Sequence, residues 1–492
     1  MSTVPAPRIL LSHAEPVQLG GEFVLYWMIA ARRLGWNYGL QRAVEHARAL
    51  QRPLVILEAL RVDYPWASDR MHRFVLDGMA EHLARCADAP VTYLPYVEPS
   101  PGAGRGLLQA LASRAAVVVT DHYPAFFLPR MVAAAATRLG VRLEAVDSNG
   151  LMPLAATPGP FPTAYAFRRF LQKNLRPHLD QPPRPDPLAE LDLPRWTPPE
   201  PLRARWPAPP DALLRGAPEA MAALPIDHAV APTGLRGGST PARQTLQRFV
   251  AQRLDAYAED RNAPEREATS GLSPWLHFGH LSIHEVLDAV ATREGWTPAG
   301  TATTTSGHRE GWWGLPPSAE AFLDEAVTWR ELGLVYCHHQ PGYDRYDTLP
   351  DWAQATLAAH SADPRPHRYS REALDAARTH DPLWNAAQTQ LVREGTIHNY
   401  LRMLWAKKVL EWSDTPQQAW DTLIDLNNRY SLDGRDPNSY TGIAWTFGRF
   451  DRPWGPVRPI FGTVRYMSSD NTARKYEVSG YIRRHSAQRA LF

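Results

Sequence analysis

The chain has 492 residues, 44% hydrophobic and 21% charged, a balance of ordinary folded protein that excludes disordered and fibrous chains. A formal net charge of +2 excludes a strongly polyionic chain, and two distant cysteines, Cys86 and Cys337, exclude a disulfide framework or a four-cysteine zinc or iron–sulfur site within it. The longest apolar run, 23–31, falls far short of the ~20 residues a bilayer needs, and the first residues lack the pattern of a secretory leader, so a cytoplasmic location is the expectation.

Along the first 150 residues, short apolar runs at 23–29, 54–57, 91–94, 116–120 and 142–146 alternate with amphipathic stretches at 37–50, 70–87 and 130–139. That alternation predicts an α/β domain, a doubly wound parallel sheet with crossover helices on both faces, whose ligands sit at the carboxyl ends of strands. A Pro-dense stretch follows from about 177 to 218, where closely spaced prolines remove backbone donors, and it reads as an interdomain connector. Beyond Gly237 and Gly238 the pattern is helical: 240–258, 281–293, 319–336, 371–379, 382–394, 396–413 and 417–429. The expected organisation is therefore an α/β domain over 1–175, a Pro-rich linker over 176–238 and an all-α domain over 239–492.

Four of the 53 basic residues are lysine, so 49 are arginine, whose planar fork suits phosphate oxygens although codon bias gives the same count. The segment from Arg449 onward carries nine basic against three acidic residues, which is compatible with nucleic acid or with a solvated face.

Several chemistries are absent by inspection: there is no Gly-Lys pair for a Walker loop, no Gly-x-Ser-x-Gly elbow and no His-Glu-x-x-His. The run 102–106, Gly-Ala-Gly-Arg-Gly, places Leu107 where a dinucleotide fingerprint has its third glycine and reads as a loop. His280 and His284 are four apart without a nearby third ligand and read as ordinary surface or core histidines.

The helical half is rich in tryptophan beside charged or amide residues: Trp275, Trp329, Trp384, Trp405, Trp412, Trp445 and Trp454. Trp405 and Trp412, seven apart on one Pro- and Gly-free stretch, share a helix face about 10 Å apart along the axis. Core packing gives such spacing, and so does a chain of oxidisable rings that passes an electron to a redox cofactor.

Segments 269–279 (Thr-Ser-Gly-Leu-Ser-Pro-Trp-Leu-His-Phe-Gly), 322–332 (Phe-Leu-Asp-Glu-Ala-Val-Thr-Trp-Arg-Glu-Leu), 381–388 (Asp-Pro-Leu-Trp-Asn-Ala-Ala-Gln), 401–408 (Leu-Arg-Met-Leu-Trp-Ala-Lys-Lys) and 426–438, with the ending 460–467, resemble the photolyase and cryptochrome family. The nearest resemblance is to class II cyclobutane pyrimidine dimer photolyases. It implies a U-shaped FAD held in the helical domain, reduced through light-driven electron transfer, and a flipped-out pyrimidine dimer in UV-damaged DNA as substrate. The implied activity is a light-dependent DNA repair lyase acting as a monomer in the cytoplasm, associated with the nucleoid when on DNA, without a metal. A cryptochrome-like photoreceptor is the alternative. The resemblance also admits an antenna chromophore of deazaflavin or folate type in the N-terminal domain.

Residue by residue, the resemblance implies that Thr269, Ser270, Leu272 and Ser273 cradle the FAD diphosphate and that Tyr257 and Arg330 contact the cofactor. It places Asn427 at the reactive flavin nitrogen, and Arg402 with Asp433 as a paired charge at the isoalloxazine. Trp384, Trp405 and Trp412 correspond to an electron-transfer triad. Glu325, Trp329, Met403 and Trp445 correspond to the lining of the dimer pocket, where indoles and a thioether suit apolar faces and a carboxyl suits the base edge. Departures from the family pattern stand at 333–336 (Gly-Leu-Val-Tyr, with Val335), 397–399 (Ile-His-Asn, with Asn399), Leu404 and Phe450.

Overall fold

Six strands form one sheet in the computed structural model, which describes residues 2–189 and 191–486. They are β1 (Ile9–His13), β2 (Phe23–Met28), β3 (Leu54–Leu60), β4 (Thr92–Val97), β5 (Ala115–His122) and β6 (Leu143–Asp147), in the order β1-β6-β5-β2-β3-β4. Five run parallel, while β1 pairs antiparallel with β6 at the edge. Every residue of β2 is buried, which is why it reads as a continuous apolar run. β1 was not expected from the sequence: an edge strand pairs on one side, and all five of its residues keep some exposure, so it carries no such run.

Helix α1 (Tyr38–Leu50) covers one face of the sheet, its first turn capped by the Asn37 side chain accepting from the Leu40 N–H. α2 (Asp69–Asp88) follows β3, and α3 (Leu107–Ala112) and α4 (Leu128–Ala136) pack on the opposite face, which completes the doubly wound arrangement. The Pro-dense stretch adds Leu188, Leu191 and Leu193 to the first face and Trp206 to the second, and forms short helices such as Glu200–Arg205. The run 102–106 is a loop that follows β4, and the buried Glu98 carboxylate accepts its Gly104 N–H (3.1 Å), an arrangement hostile to phosphate. His280 and His284 are buried: Nδ1 of His280 accepts the Gly238 N–H, and His284 stands edge-on to Tyr38. Burial holds both imidazoles below the ordinary histidine range.

The strand order reverses between β2 and β5, the place where open α/β sheets usually take a ligand. Here the Asp121 carboxylate fills the turn after β2, accepting the N–H groups of Ile29, Ala30 and Ala31 at 2.8–2.9 Å and the Tyr26 phenol at 2.6 Å. Asp121→Ala strands three backbone donors, those of Ile29 and Ala31 buried and that of Ala30 part-buried, so it should lower stability by about 2–4 kcal/mol in urea unfolding, whereas an exposed carboxylate such as Glu200 should be silent.

The chain divides into two compact units, Met1–Pro158, Leu175–Gln247 and Gly271–Pro298 forming one, and Gly159–Asn174, Arg248–Ser270 and Ala299–Phe492 the other. The second unit is helical. Its principal elements are α5 (Pro317–Leu323), α6 (Arg330–His339), α7 (Pro382–Glu394), α8 (Asn399–Trp412), α9 (Pro416–Tyr430) and α10 (Pro437–Thr446). Sequence signals account for their ends: Asp381, Thr415 and Asp436 cap the first turns of α7, α9 and α10, each followed by proline, and Gly395 (φ 70°) stops α7. α10 escaped the periodicity because buried residues lie nearly all round it, leaving no amphipathic stripe. The expected helix 371–379 ends at Asp375, and Ala377 turns the chain with φ 53°. The helix expected over 240–258 breaks after Gln252 into a short 3₁₀ turn before Tyr257–Asp260.

Candidate flavin and lesion site

The rod expected over 319–336 is present, but it contains a π-helical turn, Asp324–Trp329, between α5 and α6. A π turn inserts one residue and re-aims the side chains on it, and such turns concentrate at functional sites. Asp324 anchors this turn by a buried two-pronged ion pair with Arg168 (2.6 and 3.0 Å). Glu325 then meets the Arg261 guanidinium, which also lies 5.6 Å over the Tyr257 ring. Burial lifts the Glu325 carboxyl above the ordinary glutamate range even though Arg261 pulls it down. Burial thus favours the protonated form of Glu325, opposed first by Arg261 and then by Arg309.

At the other end of the π turn, Trp329 stands T-shaped to Trp445 of α10, ring centroids 6.2 Å apart and planes at 61°. Both rings are half-buried and leave indole surface accessible. Arg465 bridges from Trp445 (5.9 Å) to the exposed Trp454 (5.1 Å), and Arg452 covers Trp454 at 5.2 Å. Arginine on aromatic faces beside a half-open indole pair is a surface suited to stacked bases and phosphates. Met403 is partly exposed on α8, one residue from Arg402. Lys407 of the same helix is buried and donates to the Thr446 carbonyl, next to Trp445, and burial pulls its ammonium down to about 7.

The turn after α9 gathers a second group of residues. Arg402 donates to both oxygens of Asp433 (3.0 and 3.2 Å), and the Ser431 hydroxyl donates to the same carboxylate at 2.5 Å. Asn427 is buried, and its amide nitrogen makes a 3.4 Å contact with Asn428 Oδ1, so most of its hydrogen-bonding capacity is unspent. Gly434 lets this turn close: a Cβ there would stand 2.6 Å from the Asn427 carbonyl oxygen and 2.9 Å from the Asn428 Cα. Arg330 reaches Asp436 at 3.4 Å. His398, four residues before Arg402, buries both ring nitrogens without a protein partner among the described residues, and burial lowers its imidazole to about 4. A neutral imidazole, an unspent amide and a paired guanidinium are the donor set a heteroaromatic ring with carbonyls and ring nitrogens requires.

Tyr257 is buried in an aromatic cluster, edge-on to Phe249 (5.8 Å) and Phe322 (5.4 Å). Thr269 and Ser270 belong to the second unit and are half-buried, while Leu272, buried, and Ser273, exposed, belong to the first; Gly271 between them has φ 68°.

Three indoles form a continuous buried set. Trp405 and Trp412 lie on α8 as their spacing predicts, and Trp384 of α7 joins them: its indole N–H donates to the Trp405 carbonyl (3.0 Å), and its ring is 5.4 Å from that of Trp412. Trp405 itself donates to Gln388 Oε1 (2.9 Å), which fixes the ring. Sequence reasoning did not single out Arg261, Gln388, His398 or Lys407, which the structure shows as a partner of Glu325, a partner of Trp405, a buried imidazole and a partner of the Thr446 carbonyl. Only Arg261 had a signal, one helical turn after Tyr257.

Phe450, one of the departures from the expected pattern, is buried edge-on to Tyr336 (5.5 Å) and has φ 63°. Gly333, another, lets α6 approach α10, since a Cβ there would sit 3.1 Å from the Asn438 backbone nitrogen.

No family model matches the chain. A deoxyribodipyrimidine photo-lyase of Methanothermobacter thermautotrophicus is 33% identical over 486 residues, covering 98% of each chain. Among solved structures, a bacterial class III photolyase of Agrobacterium tumefaciens superposes with a TM-score of 0.65 at 19% identity, covering 96% of this chain and 87% of its own. A Synechocystis cryptochrome superposes almost as well, with a TM-score of 0.61 at 16% identity over 94% and 88%. The fold is thus shared by both, and the site must separate repair from signalling.

Proposed function

The chain belongs to the photolyase/cryptochrome family, and from that membership we propose that it is a light-dependent DNA repair lyase that splits cyclobutane pyrimidine dimers with FAD as cofactor. The observation that carries the repair reading is the half-open Trp329–Trp445 pair, with Trp329 on the same π turn as the Glu325 carboxyl, because a signalling flavoprotein has no use for a base-stacking surface next to an acid. When bound, the flavin supplies light absorption and the single electron that opens the cyclobutane ring. The chain does the rest. Asn427, His398 and the Arg402–Asp433 pair would hold the isoalloxazine, with Arg330 and Tyr257 as further contacts and Thr269 and Ser270 for the diphosphate.

Trp329, Trp445 and Met403 receive the extruded dimer. Photolyases are among the enzymes that take the target base out of the stack, and damage that already weakens pairing makes the extrusion cheaper. Glu325 meets the base edge and, in the protonated form that burial favours, donates a hydrogen bond to a carbonyl that gains negative charge. Arg261 holds that carboxyl in place before the lesion arrives. Trp405, Trp384 and Trp412 return electrons to the cofactor from the protein exterior.

Purified protein should be yellow and release FAD on denaturation, and a colourless protein that cannot be reconstituted with FAD contradicts the proposal. Asn427→Asp should leave FAD bound but change which reduced form persists after illumination, checked by absorption under anaerobic blue light. The same spectrum reports any antenna chromophore as an additional band.

A further inference from the structure

α8 carries Met403 and, one helical turn further along the same face, Lys407. Lys407 is buried, and its ammonium donates to the carbonyl of Thr446, the last residue of α10. The carbonyls just before it are served by the main chain: Ala444 accepts the N–H groups of Phe447 (3.1 Å) and Arg449 (3.0 Å), and Trp445 accepts that of Gly448 (3.0 Å). Thr446 is itself buried, and Gly448 turns the chain with φ 105°, so a side chain of the neighbouring helix supplies the donor that this helix end requires. We propose that Lys407 is a positioning residue for lesion recognition: its ammonium closes the carbonyl end of α10 and thereby holds the Trp445 ring against Trp329. The inference rests on the reading that this indole pair receives the extruded dimer.

Burying an ammonium costs more than one carbonyl needs, since a neutral donor would satisfy it. What the charge adds is strength: it lies at the negative end of the α10 dipole, and a charge-assisted hydrogen bond is about twice as strong as a neutral one. Trp445 depends on such a brace. Its ring is half-buried, with Trp329 at 6.2 Å and the Arg465 guanidinium at 5.9 Å, so the backbone of this last turn sets where the ring points. Burial pulls the Lys407 ammonium down to about 7; Asp451 favours the charged form and Arg465 opposes it. On α8 itself, Lys408 is engaged with Glu411 at 2.8 Å. Below about pH 7 the ammonium is present and the brace is at full strength; above it a neutral amine remains and the bond weakens. Discrimination for the lesion, unlike attraction to phosphate, therefore fades as pH rises.

Fluorescence anisotropy of the flavin-loaded protein on matched damaged and undamaged duplexes, from about pH 6 to about pH 8.5 at constant ionic strength, tests this. The ratio of the two affinities cancels the phosphate contacts. In the parent protein this ratio should fall by about fivefold from about pH 7 upward. Lys407→Met, which keeps the unbranched stem without the charge, should show the lowered ratio at every pH, with flavin content near parental. Because the chain has four lysines, selective 13C labelling at Cε follows the Lys407 ammonium itself by magnetic resonance. Its titration should coincide with the fall in the ratio, a reading that decides the matter even where Lys407→Met does not fold. A parental ratio level with pH, a ratio that still falls in Lys407→Met, or a Lys407 titration apart from that of the ratio overturns the inference and leaves the indole pair in place. A Trp445→Ala protein that binds damaged duplex as tightly as the parent overturns the reading of the pair, and this role of Lys407 with it.

Discussion

Trp384→Phe should reduce light-driven reduction of the bound flavin to background, measured as bleaching of the oxidised flavin band under blue light with an external thiol. Trp384 is the ring that joins the other two: Trp405 and Trp412 are separated by seven residues, ~10 Å of helix rise, and Trp384 touches Trp412 at 5.4 Å while bonding to the Trp405 carbonyl. Phenylalanine keeps most of the volume but is far harder to oxidise, so the hole cannot leave Trp405 before the electron returns. The lost Nε1 hydrogen bond costs roughly 1 kcal/mol of stability, too little to unfold the chain. Flavin content should therefore stay near parental, which separates a broken relay from a broken fold. Trp405→Phe should give the same result, and a parental rate in both would place the electron path elsewhere.

Truncating the indole pair should have the other large effect. Trp329→Ala or Trp445→Ala should weaken binding to dimer-containing duplex by on the order of 1–3 kcal/mol, the range for lost base–aromatic stacking, with binding to undamaged duplex little changed. The asymmetry follows from position: half-buried rings on the π turn and on α10 meet only an extruded base, while the arginines at 452 and 465 meet phosphate in any duplex. Both affinities should fall with rising salt. Fluorescence anisotropy on matched damaged and undamaged duplexes checks this, and an equal loss on both would make the pair a general DNA contact.

The sequence pattern reveals the fold wherever burial is uniform or one-sided. β2 is apolar throughout because both faces are covered, and α7 announces itself through Asp381, Pro382 and Gly395. It conceals whatever depends on a single inserted residue or a distant partner. The π turn leaves the apolar content of 319–336 unaltered, so a straight helix was expected, yet it sets the direction of Glu325 and Trp329. The Trp405–Trp412 spacing is visible because one helix carries both, whereas the place of Trp384 between them depends on how α7 packs on α8, and only the family resemblance pointed to it. Arg261 is invisible as a partner of Glu325 because 64 residues separate them. His398 reads as an unremarkable polar residue until both its nitrogens are found buried without protein partners among the described residues.

The most direct measurement is repair itself: the purified protein, its flavin fully reduced in the dark, is mixed with a thymine-dimer duplex and lit with blue light while the ultraviolet base absorbance is followed. The account predicts that thymine absorbance returns with illumination and not in the dark. A bound lesion and a fully reduced flavin with no return of absorbance would contradict it and assign the chain to the photoreceptor branch of its family.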